Sequence, residues 1–322
     1  MKRKKILETT NIDDLFVMAE GHVDDSEKLA VEPYSYWKSV LSVFIKKSSA
    51  KIGIGLLGLL LLMVIFVPII SNYDSAARSI GDVGSATNWK YLKPSWKHLF
   101  GTDILGRDLF TNIFLGARLS LGLALVISLI NATVGIIVGA CWGYFRKIDP
   151  FMIELRNFIG NIPALLLYML LLSILTQMDA PQWFSYIFTL TVVGWLGMAT
   201  FIRNQIIIIN DREYNLASKS MGTSGKRIIT HNLLPFVLPV IITQISLSIP
   251  AAISLETSLS FFGLGFRTDD VAIGPILTLG YNQFTTYPWT LLFPALILGL
   301  IIISFYLIGL ALSDALDPKT HR

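Results

Sequence analysis

The sequence predicts an all-α integral membrane protein with six transmembrane helices. Of its 322 residues, 53% are hydrophobic and only 15% are charged, and the mean hydropathy is +0.61. A soluble domain carries about a quarter of its residues as charges, because its surface must be covered with polar groups. The deficit of charge therefore indicates that much of this protein's surface faces lipid.

Six stretches are long and apolar enough to cross a bilayer as helices. A span needs about 20 mostly apolar residues, since the hydrocarbon core is about 30 Å thick and a helix rises about 1.5 Å per residue. The windows without Lys or Arg that meet this requirement are residues 52–70, 119–143, 158–178, 184–202, 233–262 and 290–312. The fifth window contains three prolines, so we expect kinks in that helix.

The basic residues predict which side of the membrane each loop occupies. Loops rich in Lys and Arg stay on the cytoplasmic side. If the N-terminus is inside, the cytoplasmic segments hold 19 of the 26 Lys and Arg residues. Those segments are the tail 1–51, the loops 144–157 and 203–232, and the tail 313–322. We therefore predict that both termini are cytoplasmic and that residues 71–118 form a long external loop, ahead of a five-helix core over residues 119–312.

The ends of the chain and the external loop fit this topology. No apolar segment follows the basic start of the chain within 30 residues, so no cleaved signal peptide is predicted. The external loop contains Trp89, Tyr91 and Trp96. Such side chains, with an apolar ring and one polar atom, suit the interface between membrane and water.

The cytoplasmic loop 203–232 has the pattern of a short helix, a tight turn and a second helix. Asp211 is placed to cap the first helix, and Glu213 lies near its positive end. Gly222 fits the residue just after the helix, where a positive φ costs glycine little. Thr223 or Ser224 can then cap the helix that leads into the fifth span.

One face of this first helix has small side chains in its middle. Tyr214, Ala217, Ser218 and Met221 recur at helical spacing and share that face, so a partner could approach it closely. From these residues alone, a docking element and an amphipathic connector on the membrane surface remain equally open. A DNA-binding helix-turn-helix fits poorly, because the loop is tethered at both ends to the bilayer and carries only five cations. We predict no nucleic-acid partner.

Few polar side chains fall within the predicted spans. Glu256 is the only acidic or basic residue in the six windows. Intramembrane carboxylates are costly, so Glu256 either lines a path or outer gate, or is hydrated near the interface. Asn131, Asn161 and Gln244 either line the same path or cross-link helices.

The sequence predicts no enzyme and no metal site. The segment Gly225-Lys226-Arg227 lacks a glycine of the phosphate-binding loop, since Ser220 stands in its place. The four histidines are scattered and form no HExxH motif, so no metalloprotease is predicted. No predicted span has a histidine at the same depth as its serines, so no serine protease is predicted either. Cys141 is the one cysteine, so an intrachain disulfide is excluded.

The loop 203–232 resembles the coupling loop of permease subunits in ATP-binding-cassette importers. The spacing of Ala217, Gly222 and Leu234-Pro235 is similar to that family's signature, and Glu213-Tyr214 match the variant found in peptide permeases. Three positions depart from the signature: its glutamate-alanine-alanine triplet is Leu216-Ala217-Ser218 here, and its isoleucine is Asn232.

Further segments resemble the same branch in the same order. They are Phe100–Asp103, Leu105–Asp108, Gly116–Leu121, Leu259–Gly265 and Asp314–Pro318. Together they cover roughly residues 37–322 and are similar to the second, C-type permease of oligopeptide and dipeptide importers. Prolines and a tryptophan usual in this branch are absent between Phe266 and Gly274.

This resemblance implies the type I permease fold and a set of partners. These are a homologous second permease, two ATPase subunits that bind ATP and Mg²⁺, and an external lipid-anchored binding protein. The chain itself would hold no cofactor and would carry peptides. Dipeptides, nickel chelates and glutathione-like peptides are alternative substrates. An ion-gradient-driven carrier and a scaffold or sensor subunit are the rival classes.

The resemblance also implies which residues couple to the ATPase. They are Glu213, Tyr214, Ala217, Ser218, Gly222, Leu234 and Pro235.

Overall fold

The computed structural model describes residues 36–71, 90–266 and 271–316. Most of the predicted N-terminal tail, part of the predicted external loop including Trp89, and residues 317–322 lie outside these ranges. The chain divides into two units, residues 1–39 and 40–322. Of the first unit, the structure describes only the beginning of helix α1.

Regular structure in the described residues is helical, apart from one β-bridge between Thr102 and Asp108. The α-helices are α1 (Tyr36–Lys46), α2 (Ser48–Ile70), α3 (Leu109–Tyr144), α4 (Asp149–Gly160), α5 (Ala164–Gln177), α6 (Gln182–Asn210), α7 (Glu213–Ser220), α8 (Gly225–Arg227), α9 (Leu234–Leu259), α10 (Ile273–Gln283) and α11 (Trp289–Leu316). A 3₁₀ turn, Arg146–Ile148, precedes α4, and π-type turns at Ile228–Leu233 and Ser260–Leu264 flank α9.

Five helical stretches are long and apolar enough to span a membrane by themselves. They are α2, α3, α6, α11 and the stretch Gly225–Leu264 built around α9. A sixth span is formed if α4 and α5, which are bent by 82° at their junction, are counted as one broken span. This architecture confirms the predicted all-α membrane fold.

Helices α3 and α6 approach each other closely because glycines repeat along α3. A Cβ atom on Gly135 would lie 2.5 Å from the Met198 side chain, and one on Gly139 would lie 2.5 Å from the Ala199 carbonyl oxygen. A turn further, a Cβ on Gly143 would lie 2.7 Å from Ile206. Glycines four residues apart allow helix backbones to meet in this way within membranes.

The register of these contacts shows that α3 and α6 run parallel. Residue numbers increase together along both helices, from Gly135 beside Met198 to Gly143 beside Ile206. Two parallel helices require the chain between them to return to the end where it started. The pair α4 and α5 provides this return, so geometry supports counting the pair as the sixth crossing.

The return path differs from the straight helix predicted for residues 158–178. Helix α4 ends at Gly160, and α5 begins at Ala164, directly after Pro163. Proline disfavours helical backbone in the residue before it, which explains the break at Asn161 and Ile162.

Helix α3 begins ten residues earlier than the predicted window, which started at residue 119. Asp108 caps it, since Asp108 Oδ2 accepts a hydrogen bond from the Thr111 backbone N–H at 2.9 Å. The prediction required a window without Lys or Arg, and Arg118 ended that window too soon. In the fifth span, α9 is one helix through Pro239 and Pro250, and the irregular turns occur at its two ends.

The described part of the predicted external loop, residues 90–108, is folded against the helices. Asp103 accepts hydrogen bonds from the backbone N–H groups of Leu105 and Arg107 and from Arg107 Nε, the last at 2.7 Å. Tyr91 stacks on Tyr287 with ring centroids 4.0 Å apart. The Trp96 side chain is 98% exposed, so its predicted place at a membrane interface stays a prediction.

Glu256 joins three helices near the predicted external end. Its carboxylate is 1% exposed and accepts hydrogen bonds from Ser120 Oγ of α3 at 3.0 Å and from Ser260 Oγ at 3.2 Å. The Ser120 hydroxyl oxygen in turn accepts from the backbone N–H of Ile273 in α10, at 3.2 Å. Gly274 leaves room for this joint, because a side chain there would collide with Ser260.

Replacing Gly139 with alanine should destabilise the bundle by separating α3 from α6. Overpacking of a close contact costs about 1–3 kcal/mol. We expect Gly139→Ala to lower the midpoint of thermal unfolding of the purified protein. Gly58→Ala is the matched control, because a Cβ on Gly58 meets nothing within 4 Å. Equal midpoints for the two variants would contradict the close-packing interpretation.

Replacing Glu256 with leucine should destabilise the contact of Glu256 with Ser120 and Ser260 more than replacing it with glutamine. Leucine leaves the two serine hydroxyls without their acceptor, at about 1–3 kcal/mol for each unsatisfied buried group, whereas glutamine keeps one acceptor oxygen. Thermal unfolding of both variants measures the difference, with Glu154→Gln on the exposed face of α4 as control. Identical losses for leucine and glutamine would show that charge, rather than hydrogen bonding, matters here.

Candidate functional site

The predicted site residues lie in two separate places in the structure. Those of the loop 203–232 surround helix α7 and the start of α9. Those predicted to line a path lie within or beside the helix bundle.

The turn after α7 has the geometry that the sequence predicted. Gly222 has φ +80°, a left-handed conformation that favours glycine. The Gly222 N–H donates to the Lys219 carbonyl at 2.9 Å, and the Thr223 N–H donates to the Ser218 carbonyl at 3.1 Å. This pair of bonds is the Schellman motif, which ends a helix sharply. A Cβ on Gly222 would meet nothing within 4 Å, so backbone conformation alone requires glycine there.

The predicted side-chain caps of this loop are wrong. Helix α6 extends to Asn210, so Asp211 is its C-cap, and Arg212 occupies the N-cap position of α7 without a side-chain hydrogen bond. Asp211 Oδ2 instead accepts from the Arg146 guanidinium at 2.7 Å. Ser224 occupies the N-cap position of α8 but its hydroxyl makes no capping bond either.

The predicted face of α7, which has small side chains in its middle, is largely exposed. Tyr214 is 41% exposed and Met221 is 78% exposed, and Ala217 between them is exposed as well. Glu213 at the start of the helix is also exposed, whereas Ser218 is half-buried. Exposed apolar side chains on one face suit contact with another protein or with the membrane surface.

A pair of asparagines, of which Asn215 is buried and Asn232 is half-buried, holds α7 against the bundle. Asn215 is 0% exposed, and its Nδ2 donates to the Ile209 carbonyl at the end of α6, at 2.8 Å. Asn232 Nδ2 donates to Asn215 Oδ1 at 3.0 Å. Asn232 is the position where the sequence departs from the family's isoleucine, and its role was not predicted. A polar residue on the side of α7 opposite the exposed face was the available signal.

Leu234 and Pro235 begin helix α9 directly after the π-type turn Ile228–Leu233. Leu234 packs against the apolar cluster that contains Ile206 and Leu233, and Pro235 is exposed. Proline has no N–H to donate within a helix, which suits a position in the first turn. These residues therefore connect the loop 203–232 to the fifth span.

Two of the predicted path residues meet at one cavity inside the bundle. The cavity has a volume of about 270 Å³ and lies between α3, α5, α6 and α9. Asn131 and Gln244 both line it. Ser128 and Ser248 line it too and were missed, although they lie three and four residues from the predicted pair, on the same helix faces.

The residues that line the cavity are uncharged, and one glycine among them faces free space. Within the described part of the chain, the residues that line it include no Asp, Glu, Lys, Arg or His. A Cβ on Gly197 would meet nothing within 4 Å, so space remains in front of this residue. Asn131 packs against Gly194, where a Cβ would lie 2.5 Å from the Asn131 amide nitrogen.

The other two predicted path residues lie elsewhere. Asn161 is exposed at the break between α4 and α5, and Glu256 is buried in the joint with Ser120 and Ser260. Neither lines the cavity. Their roles in a path stay predictions.

A wider recess of about 640 Å³ lies nearer the predicted external end. Arg118 and Val126 of α3 and Trp183 and Ile187 of α6 are among its lining residues. Along both helices the recess ends within a turn of the inner cavity, which begins at Ile127 on α3 and Leu190 on α6. The two spaces therefore follow each other along the α3–α6 pair.

Sequence comparisons relate the chain to membrane components of transport systems. Residues 131–322 match the family described as the binding-protein-dependent transport system inner membrane component. Residues 35–94 match the N-terminal TM domain of oligopeptide transport permease C.

Curated relatives are similar over nearly their whole lengths. The oligopeptide transport system permease protein AmiD of Streptococcus pneumoniae is 36% identical, over 92% of this chain and 94% of that protein. The dipeptide transport system permease protein DppC of Bacillus subtilis is 35% identical, over 96% and 94%. The oligopeptide transport system permease protein OppC of the same species is 31% identical, over 96% and 98%. With this coverage, the chain belongs to the family of inner membrane components of binding-protein-dependent transport systems.

Proposed function

We propose that this chain is a permease subunit of an ATP-driven importer that translocates oligopeptides across the cytoplasmic membrane of a prokaryote. The observation that carries the proposal is the exposed face of α7, which is held firmly at its back and ended sharply by Gly222. Family membership supports the transport role, and the names of the relatives support peptides as the cargo.

The geometry of α7 suits the transmission of force from a partner. Its outer face offers Tyr214 and Met221 to an ATPase subunit, and its inner face is fixed by Asn215 to the end of α6. Asn232 ties the same point to the turn that leads into α9. A displacement of α7 would therefore reach two spans at once, and through α9 the joint at Glu256.

The neutral cavity and the outer recess suit a path for a peptide. Both spaces follow the α3–α6 pair, and the inner one contains Asn131 and Gln244. The path is completed by a homologous second permease, because one chain encloses only part of it. Two ATPase subunits bind ATP and Mg²⁺, and this chain hydrolyses nothing. An external lipid-anchored protein delivers the peptide to the outer loops, and both termini are cytoplasmic.

Replacing Gly222 with valine should uncouple transport from ATP hydrolysis. A β-branched residue at positive φ is strained by about 1–2 kcal/mol, so the end of α7 should shift while the ATPase subunits keep their own active sites. We expect peptide uptake into proteoliposomes that contain the complete transporter to fall while ATPase activity persists. If the strain is added to the barrier of the coupled step, about 1.4 kcal/mol lowers the rate on the order of tenfold.

Gly58→Val is the matched control for that experiment. Gly58 lies in α2, and a Cβ on it meets nothing within 4 Å, as at Gly222, but its φ is not positive. Normal uptake by Gly222→Val would count against a coupling role for α7.

Deleting the gene should abolish peptide uptake that depends on ATP. We expect cells without this chain to lose uptake of a labelled oligopeptide panel, and wild-type uptake to resist a protonophore when ATP is clamped. The resistance follows because ATP, rather than an ion gradient, drives the step. Restoring the gene is the control. Uptake that collapses with the protonophore at constant ATP would refute the proposal.

A further inference from the structure

The inner cavity contains buried polar atoms that lack hydrogen-bond partners. Ser128 is 2% exposed, and its hydroxyl oxygen has no partner in the described structure. The same holds for Asn131 Oδ1. Buried polar atoms are nearly always hydrogen-bonded, so each exception needs an explanation. Beside a cavity, a ligand or water can supply the missing partner.

The position of the Asn131 carboxamide is fixed by its surroundings. Its Nδ2 donates to the Leu190 carbonyl of α6 at 3.3 Å, and Gly194 supplies the space for the group. One half of the carboxamide is thus engaged with α6, and Oδ1 remains as an acceptor. Across the cavity, Gln244 makes no hydrogen bond within the described residues, and it contributes a second carboxamide.

These groups are neutral and can both donate and accept. A carboxamide offers two N–H donors and a carbonyl acceptor, and a hydroxyl offers one donor and two acceptor positions. The peptide bond presents the complementary neutral pair, one N–H and one C=O for each residue. Charged side chains of a cargo would find no opposite charge among the described lining residues.

We infer that Ser128, Asn131 and Gln244 bind the main-chain amide groups of a peptide in transit, independently of its side chains. This inference rests on the proposed function and adds a recognition site to it. Ser248, whose hydroxyl donates to the Ile245 carbonyl at 2.8 Å, contributes an acceptor to the same wall.

The test compares two peptides that differ in one main-chain N–H. The complete transporter, with its ATPases, second permease and binding protein, is reconstituted in liposomes. Initial uptake rates are measured for tetra-alanine and for tetra-alanine methylated on one internal amide nitrogen. We expect N-methylation to slow uptake by the wild type and to matter less in Gln244→Met and Asn131→Leu. The discrimination ratio is the uptake rate of tetra-alanine divided by the uptake rate of its methylated form. In these variants it should fall by about 3- to 10-fold, as expected for the loss of one neutral hydrogen bond.

Dividing the wild-type ratio by the variant ratio cancels the preference of the binding protein, which is common to all preparations. Gln177→Met is the matched control, since Gln177 is exposed at the end of α5 and lies outside the cavity. It should keep the wild-type ratio. Co-purification of the second permease is measured for every variant.

The outcomes separate the inference from the proposed function. Uptake of tetra-alanine by the wild type, with the same discrimination ratio in Gln244→Met and Asn131→Leu, overturns the inference alone. Loss of the second permease from these variants also overturns it, because the polar groups then serve subunit assembly. Absence of uptake of either peptide by the complete wild-type transporter overturns the proposed function, and the inference with it.

Discussion

Helices α3 and α6 lie side by side in parallel, at a separation that only glycines on α3 permit. Gly135, Gly139 and Gly143 face Met198, Ala199 and Ile206 with no room for a methyl group. Lipid supplies no hydrophobic drive for helices to associate, so close van der Waals contact is what holds such a pair together. Because both helices run in the same direction, the chain must cross the membrane once more between them. The register of α3 against α6 places Asn131 against Gly194.

Most polar groups in the bundle are also held by contacts within the chain. In hydrocarbon, an unsatisfied polar group is expensive, so most polar side chains in the described spans are paired within the chain. Glu256 has two serine donors, and many serine and threonine hydroxyls bond to a carbonyl one turn back, as Ser304 does with Leu300 at 2.6 Å. Some buried polar atoms are left without a partner, among them those of Ser128, Asn131, Thr189 and Thr257, and the first two lie at the same cavity.

The sequence predicted those features that depend on local patterns. Apolar windows identified the spans, and Gly222 was correctly placed at positive φ because the pattern of a helix end is contained in a few neighbouring residues. Asp211 was misassigned as a cap because α6 extends beyond its apolar window to Asn210. In these added turns, Ile206 and Ile209 belong to the same buried cluster as Ile228 of the loop 203–232. The early start of α3 was missed for another reason, since Arg118 ended the window without Lys or Arg.

Features that depend on tertiary register could not be predicted. Nothing local to Asn131 indicates that Leu190 supplies its hydrogen-bond acceptor, and nothing local to Asn215 indicates that Asn232 is its partner. Glu256 was expected either in a path or near water, yet it is enclosed by Ser120 and by residues around Ile273, which are distant in the chain. The break in the third span was visible in Asn161-Ile162-Pro163 but was outweighed by the apolar run around it.

The neutrality of the cavity has an electrical consequence. Moving one elementary charge through a membrane potential of 100 mV involves about 2.3 kcal/mol of work. Since the described lining of the inner cavity carries no fixed charge, a charged cargo finds no opposite charge there that would offset its own. The current that accompanies transport then takes its sign from the cargo: inward positive for a basic peptide, inward negative for an acidic one, and zero for a zwitterion. The membrane potential itself would favour basic peptides, whereas Arg118 at the outer recess would repel them.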